Sequence, residues 1–393
     1  MRGGAYRGEC LRRAARAFQA NARSEERTEF AAFQKAEAAW LDDYALFMAL
    51  DAANPGKTWN QGPDALARRS PAALRDAMHR HEEEIAFWTF CQWCFARQWA
   101  RLKNYANARG IRIIGDVPIF VAHHSADVWA HQHLFELDAD GVQTVVAGVP
   151  PDYFSATGQR WGNPLYRWSA HASEGYRWWL ARMRRALALA DAVRIDHFRG
   201  FAAHWEIPAG SESAVHGHWV AGPGAALFDA FQAAFPDLPI IAEDLGVITE
   251  DVEQLRDGFR LPGMKILQFG FDNAKNPFLP HNYPSHCVAY TGTHDNDTAR
   301  GWLDSAPEAE RAFALKYLDT NAIHFVWDMI RAVWSSVAVY AVTPMQDALR
   351  LGTQARMNYP SRLGGNWEWR LSEADMSEEL AAKFKEFNEL YLR

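Results

Sequence analysis

The chain has 393 residues, with 41 Lys and Arg against 48 Asp and Glu and a formal net charge of −7. That balance gives no electrostatic argument for a nucleic-acid or anionic-membrane partner. No apolar run approaches the roughly 18 residues needed to span a bilayer, and the length supports one large domain or two to three ordinary ones.

The Arg-rich start, residues 1–23, has no apolar h-region or cleavage signal after it. It predicts an amphipathic helix with Leu11, Ala14, Ala15 and Phe18 on one side, and a cytoplasmic location as the default. Ser24-Glu25-Glu26-Arg27 has the character of a helix start, and AANPGKTWNQGP (52–63) of a loop. A second helix is expected from Pro71 to Arg109, closed by Gly110 as a C-terminal cap. Residues 1–110 therefore read as a helical subdomain. Four cysteines suit a reducing compartment better than a disulfide scaffold. Cys91 and Cys94 form a C-x-x-C in FWTFCQWCFARQW, where an aromatic helix and the lack of a second ligand pair make them core residues.

From residue 111 the pattern changes. Apolar runs recur with helical stretches between them: IRIIGDVPIF (111–120), AVRIDHFRGF (192–201), LPIIAEDLGV (238–247), GMKILQFGF (263–271), CVAYTGTHD (287–295) and SVAVYAVTP (336–344). Near-continuous apolar strands alternating with helices predict a parallel α/β sheet. Polar residues at one strand end after another favour the active-site face of a (β/α)-barrel. Only six strands are recognisable, whereas such a barrel needs eight, so either two strands are absent from this chain or the sheet is open. The segment 121–191, with AGVPPDYFSATGQRWGNPLY at 147–166, reads as an ordered active-site loop insertion. The 17 Trp and 12 Tyr offer flat faces suited to sugars, although composition alone only leaves that reading open.

Strand ends carry Asp116, Asp196, Glu243 and Asp295. Converging carboxylates serve as an acid and a nucleophile in retaining glycoside chemistry, about 5 Å apart. They also bind divalent metals when histidines such as His197 join them, or pair structurally with arginines such as Arg194 and Arg199. Under the glycoside reading, Arg194 favours an ionised Asp196 as nucleophile. Glu243, after the apolar run 239–242, suits a general acid and base, and Asp295 can stabilise an oxocarbenium-like transition state. The metal reading has no compact ligand pair behind it.

VRIDHFRGF (193–201), IAEDLGVIT (241–249) and YTGTHDNDT (290–298) resemble signature strands of the 4-α-glucanotransferases, the amylomaltase or disproportionating-enzyme family, glycoside hydrolase family 77. GDVPIFVAHHSADVW (115–129), AGVPPDYFSATGQRWGNPLY and ARMNYPSRLGGNWEWR (355–370) are similar to further family segments, so the resemblance runs from about residue 24 to the end. It implies an α-amylase-type (β/α)8 TIM barrel with helical insertions, in which residues 111–393 supply strands three to eight. It also implies Asp196 as nucleophile, Glu243 as acid/base and Asp295 as transition-state carboxylate. Arg194 and His294 would be partners in the glucosyl subsite, Tyr153, Phe154 and Trp161 would arch over the donor, and Asp116 would be chiefly structural. The implied reaction transfers an α-1,4-glucan segment through a covalent glycosyl-enzyme to the 4-hydroxyl of another glucan. Maltodextrins, starch or glycogen would be the partners, with no metal or organic cofactor, no nucleic acid and no membrane.

The family's first two barrel strands have no counterpart in residues 1–110, so the resemblance and the strand count both lead to the expectation of an N-terminally incomplete barrel with weak or no transferase activity. Two alternatives accompany the transferase reading: an α-glucan hydrolase using the same carboxylates with water as acceptor, and an inactive glucan-binding remnant.

Overall fold

A computed structural model describes residues 2–151, 155–360 and 362–393. The chain divides into two compact units, residues 1–196 with 200–239, and residues 197–199 with 240–393.

The first unit opens with two helices, Arg2–Asn21 and Ser24–Ala53. The Ser24 start is set by Glu26, whose carboxylate accepts the Arg23 backbone N–H at 3.1 Å and so satisfies a donor outside the helical ladder. The predicted single helix from Pro71 to Arg109 is instead two, Pro71–Arg80 and Glu82–Asn107, interrupted at His81. Glu82, Glu83 and Glu84 crowd the first turn of the second piece, where negative charge stabilises a new N-terminus. Gly110 follows with φ +74°, a left-handed position suited to glycine. Phe87, Phe90 and Trp93 of the second piece bury against Ala15, with Cys91 and Cys94 packed on the same cluster. Burial and the neighbouring Cys94 push the Cys91 thiol up to about 11, far from the thiolate character of a reactive pair.

Each of the six apolar runs holds a strand: β1 (Ile114–Pro118), β4 (Ala192–Asp196), β7 (Ile240–Ala242), β8 (Gly263–Ile266), β9 (Cys287–Tyr290) and β10 (Tyr340–Val342). In the first unit β1 and β4 pair in parallel, with Asp116 opposite Arg194 and Pro118 opposite Asp196. The same unit contains an antiparallel sheet absent from the sequence-based expectation, ordered β3-β2-β5-β6: β2 (Val145–Val149), β3 (Gln159–Pro164), β5 (Ala203–Pro208) and β6 (His218–Ala221). Two of its strands lie inside the 121–191 segment that read as a loop. Gly148 belongs there because a Cβ would overlap the Gln159 carbonyl of the paired strand. Tyr166, Trp179, Phe201 and Phe228 chain through ring contacts of 5.3–5.4 Å in this unit's core.

In the second unit β8, β9 and β10 pair in parallel, and the Ala242 N–H at the end of β7 reaches the Pro262 carbonyl at 2.9 Å. Ile241, Met264 and Val288, one from each of β7, β8 and β9, bury together, with Val342 of β10 against them. A larger cluster around Phe271, Phe325, Met329 and Ile330 packs the helices on β9. Among the described residues no helix is long and apolar enough to cross a membrane.

Candidate active site

On β1 and β4 the alternation of the pleat brings Asp116, Arg194 and Asp196 onto one face, two positions apart along the strands. Arg194 is the centre of the group, with its side chain only 11% exposed. Its Nη1 and Nη2 both donate to Asp196 Oδ1 at 2.8 Å, and Nη1 also approaches Asp116 Oδ1 at 3.3 Å. The guanidinium is therefore shared unequally, in favour of Asp196. The Asp196 side chain is 44% exposed, so it is anchored on one oxygen by a largely buried cation and still reached by solvent. Trp161 lies on β3 of the same unit, exposed, its ring 6.4 Å from that of Phe120. Tyr153 and Phe154 lie outside the described residues.

In the second unit Glu243 follows β7 directly. Its two carboxylate oxygens take backbone donors: the His197 N–H at 2.6 Å on Oε2 and the Leu245 N–H at 2.9 Å on Oε1. The Phe198 N–H donates to the Glu243 carbonyl at 3.0 Å. His197 adopts φ +52°, uncommon for a residue with a side chain, which turns its N–H onto the carboxylate. Asp244 points the other way into the unit, where it accepts the Met264 N–H at 2.7 Å and pairs with Arg256 at 2.5 Å. Burial raises the Asp244 carboxyl while those donors pull it back. Arg199 donates to the Val247 carbonyl.

Asp295 sits in the loop after β9, its side chain 44% exposed. Asn358 Nδ2 donates to Asp295 Oδ1 at 2.6 Å, and Arg356 Nη2 donates to the Asp295 carbonyl at 2.6 Å. His294 Nε2 lies 3.5 Å from Asp295 Oδ2, and the His294 ring packs 5.1 Å from that of Trp367. The Asn358 N–H closes on the His294 carbonyl at 3.0 Å. Arg356, Asn358 and Trp367 thus all bear on the His294–Asp295 pair. Sequence reasoning quoted their segment but assigned no role to Arg356, Asn358 or Trp367; a contact across 63 positions leaves no local signal.

The structure thus gathers Asp116, Arg194 and Asp196 in one unit and Glu243, His294 and Asp295 in the other. Asp196 ends β4, Glu243 follows β7 and Asp295 lies in the loop after β9, whereas Asp116, expected at a strand end, is mid-strand in β1. An arginine anchors Asp196, two backbone N–H groups hold Glu243, and an asparagine holds Asp295.

A family profile described as 4-alpha-glucanotransferase matches residues 3–376, nearly the whole chain. The chain belongs to the 4-alpha-glucanotransferase family. It is 55% identical over 390 residues to a 4-alpha-glucanotransferase of Thermus thermophilus, covering 97% of this chain and 78% of that protein. It is 46% identical to the Synechocystis 4-alpha-glucanotransferase, over 99% of this chain and 78% of the relative. Among solved structures, amylomaltase from Streptococcus agalactiae in complex with acarbose superposes with a TM-score of 0.94 at 38% identity, covering 98% of this chain and 78% of that one. This 4-alpha-glucanotransferase family member is accordingly a glycosyl-transferring enzyme, and its fold is of the α/β TIM-barrel type expected from the sequence.

Proposed function

We propose that the chain transfers α-1,4-glucan segments by a retaining mechanism, with Asp196 as nucleophile, Glu243 as general acid and base, and Asp295 as the carboxylate that stabilises the oxocarbenium-like transition state. The observation that carries this reading is the Arg194–Asp196 pair. A nucleophile must be ionised and accessible at once, and a buried guanidinium holding one oxygen of a half-exposed carboxylate meets both needs. In the first step Asp196 attacks the anomeric carbon, forming a C–O bond as the bond to the leaving glucan breaks, and Glu243 gives its proton to the leaving oxygen. In the second step Glu243 takes the proton of the acceptor 4-hydroxyl, which displaces Asp196 from the anomeric carbon. Backbone donors on both Glu243 oxygens keep that group in one place through both steps.

Arg194 and His294 are proposed to contact the glucosyl unit, with Tyr153, Phe154 and Trp161 covering the donor chain and Asp116 sharing Arg194. Maltodextrins, starch or glycogen are the proposed donors and acceptors, in the cytoplasm and without cofactor. Residues 1–110 are proposed as a helical insertion on the barrel segment 111–393, with 121–191 as an insertion at the active site.

Incubating the chain with maltotriose and resolving the products tests the reaction class. The expected result is glucose together with oligomers longer than the substrate, and neither from Asp196→Asn. Products that are only shorter than maltotriose would make water the acceptor and replace the transferase by a hydrolase.

A further inference from the structure

The loop from Thr291 to Ala299 bears His294 and Asp295 and runs into the helix Ala299–Ser305. Both of its ends are fastened to one side chain that the reaction scheme does not use. Asp347 belongs to the short helix Met345–Ala348, just after β10, and is 1% exposed. Its Oδ2 accepts the Thr291 hydroxyl at 2.7 Å, and its Oδ1 accepts the Ala299 backbone N–H at 2.7 Å. Thr291 is also 3.0 Å from Thr343, so the ends of β9 and β10 are laced together at the same point.

Between these ends the loop is stiff. Asn296 Oδ1 accepts both the N–H and the hydroxyl of Thr293 at 2.9 Å, closing a turn around His294 and Asp295. Asp297 is held by Gln268 on its carbonyl at 2.9 Å and by Thr353 on its side chain at 2.8 Å. A stiff turn whose two ends are fixed has its side-chain positions fixed as well.

A buried carboxylate is a costly fastener. Among the described residues no Lys or Arg acts on the Asp347 charge, and burial pushes its carboxyl up to about 6. A neutral amide would join two loop ends with less desolvation. What a carboxylate adds is two acceptors of equal strength and short, charge-assisted bonds to each end.

We propose that Asp347 is a positioning residue for the transferase reaction, setting the span of the Thr291–Ala299 loop and through it the placement of the Asp295 carboxylate. The proposal rests on the reading of Asp295 as the transition-state carboxylate.

The test is a double-mutant cycle on the full chain, with kcat and KM measured on maltotriose. Asp347→Ala is expected to lower kcat by roughly 30-fold or more while KM moves less than about threefold, since the loss falls on the transition state. Asp347→Asn, which still accepts from Ala299 and can bond to Thr291, is expected to recover to within about fivefold of wild type. In an Asp295→Asn background, Asp347→Ala should cost little more, because the group it positions is already gone. Should Asp347→Ala fail to give the native circular dichroism spectrum, Thr291→Val removes the Thr291 tie to Asp347 together with the Thr343 contact, leaves the Ala299 tie, and is expected to lower kcat by about fivefold, with Thr343→Val as the control for the second contact. Unchanged kcat in these variants, or a loss that multiplies fully with Asp295→Asn, overturns the proposal. Full activity in Asp295→Asn itself would instead overturn the role of Asp295, a separate result.

Discussion

Asn358 Nδ2 donates to Asp295 Oδ1 at 2.6 Å, fastening Asn358 to the loop after β9. Arg356 holds the backbone of the same residue and Trp367 packs against its neighbour His294, so this is one tie of several. Of these ties, the Asn358 amide is the one that touches the proposed transition-state carboxylate. A hydrogen bond to a charged group contributes about 1.5–3 kcal/mol, so Asn358→Ala should lower kcat/KM on maltotriose by roughly 10- to 100-fold. Asn358→Asp should be worse, since it sets a second negative charge against Asp295.

Arg194 separates the roles of two carboxylates. Both guanidinium nitrogens reach Asp196 at 2.8 Å, whereas Asp116 receives only one contact at 3.3 Å. Arg194→Ala should cost about 100-fold or more in kcat, because it strips the proposed nucleophile of its largely buried cation. Arg194→Lys should fall between, keeping the charge but not the two-nitrogen grip. Asp116→Asn should stay within about threefold. Equal losses in Asp116→Asn and Arg194→Ala would give Asp116 a chemical part.

Gly263 opens β8 because of space rather than backbone angle. A Cβ there would overlap the Asp244 carboxylate, which pairs with Arg256 inside the second unit beside Glu243. Gly263→Ala should lose about 1–3 kcal/mol of stability by overpacking, read as a lower urea midpoint. It should also lower kcat, because the displaced Asp244 is the next residue after Glu243.

Two histidines in the first unit bind protons poorly when folded. Burial lowers His171 and His204 to about 4, from an ordinary value near 6.5. Between those values the unfolded chain holds more protons than the folded one, so stability falls as pH drops from about 6.5 towards 4. Urea midpoints at pH 7.5 and 5.0 should therefore differ, and His171→Phe with His204→Phe should narrow the difference. An unaltered pH dependence in the double variant would assign the acid loss to other groups.

The six parallel-type strands were legible because short apolar runs alternate with helices along residues 111–393; β7, β8 and β9 are largely buried, as such runs should be, whereas β1 and β10 keep exposed positions. The antiparallel sheet was not legible. Its strand β3, Gln159–Pro164, mixes polar residues with glycine and proline, and tertiary pairing rather than propensity makes it a strand. The interruption at His81 has no glycine or proline to announce it, only the acidic turn that follows. The three proposed carboxylates stand out in the sequence because each comes at or after an apolar run. Their holders do not, since Asn358 and Asp347 act across 63 and 48–56 positions, and two of the donors on Glu243 are main-chain groups of no particular residue type.

Those main-chain donors have a consequence for how the protein tolerates change. A side-chain scan at positions 197 and 245 leaves both of these N–H donors in place, so they are lost to proline, and the one at position 197 is also weakened by residues that reject a left-handed turn. Drift in the side chains at these two positions can therefore proceed without removing either donor, and libraries that seek to retune the Glu243 carboxylate will find more purchase here in backbone geometry than in residue chemistry.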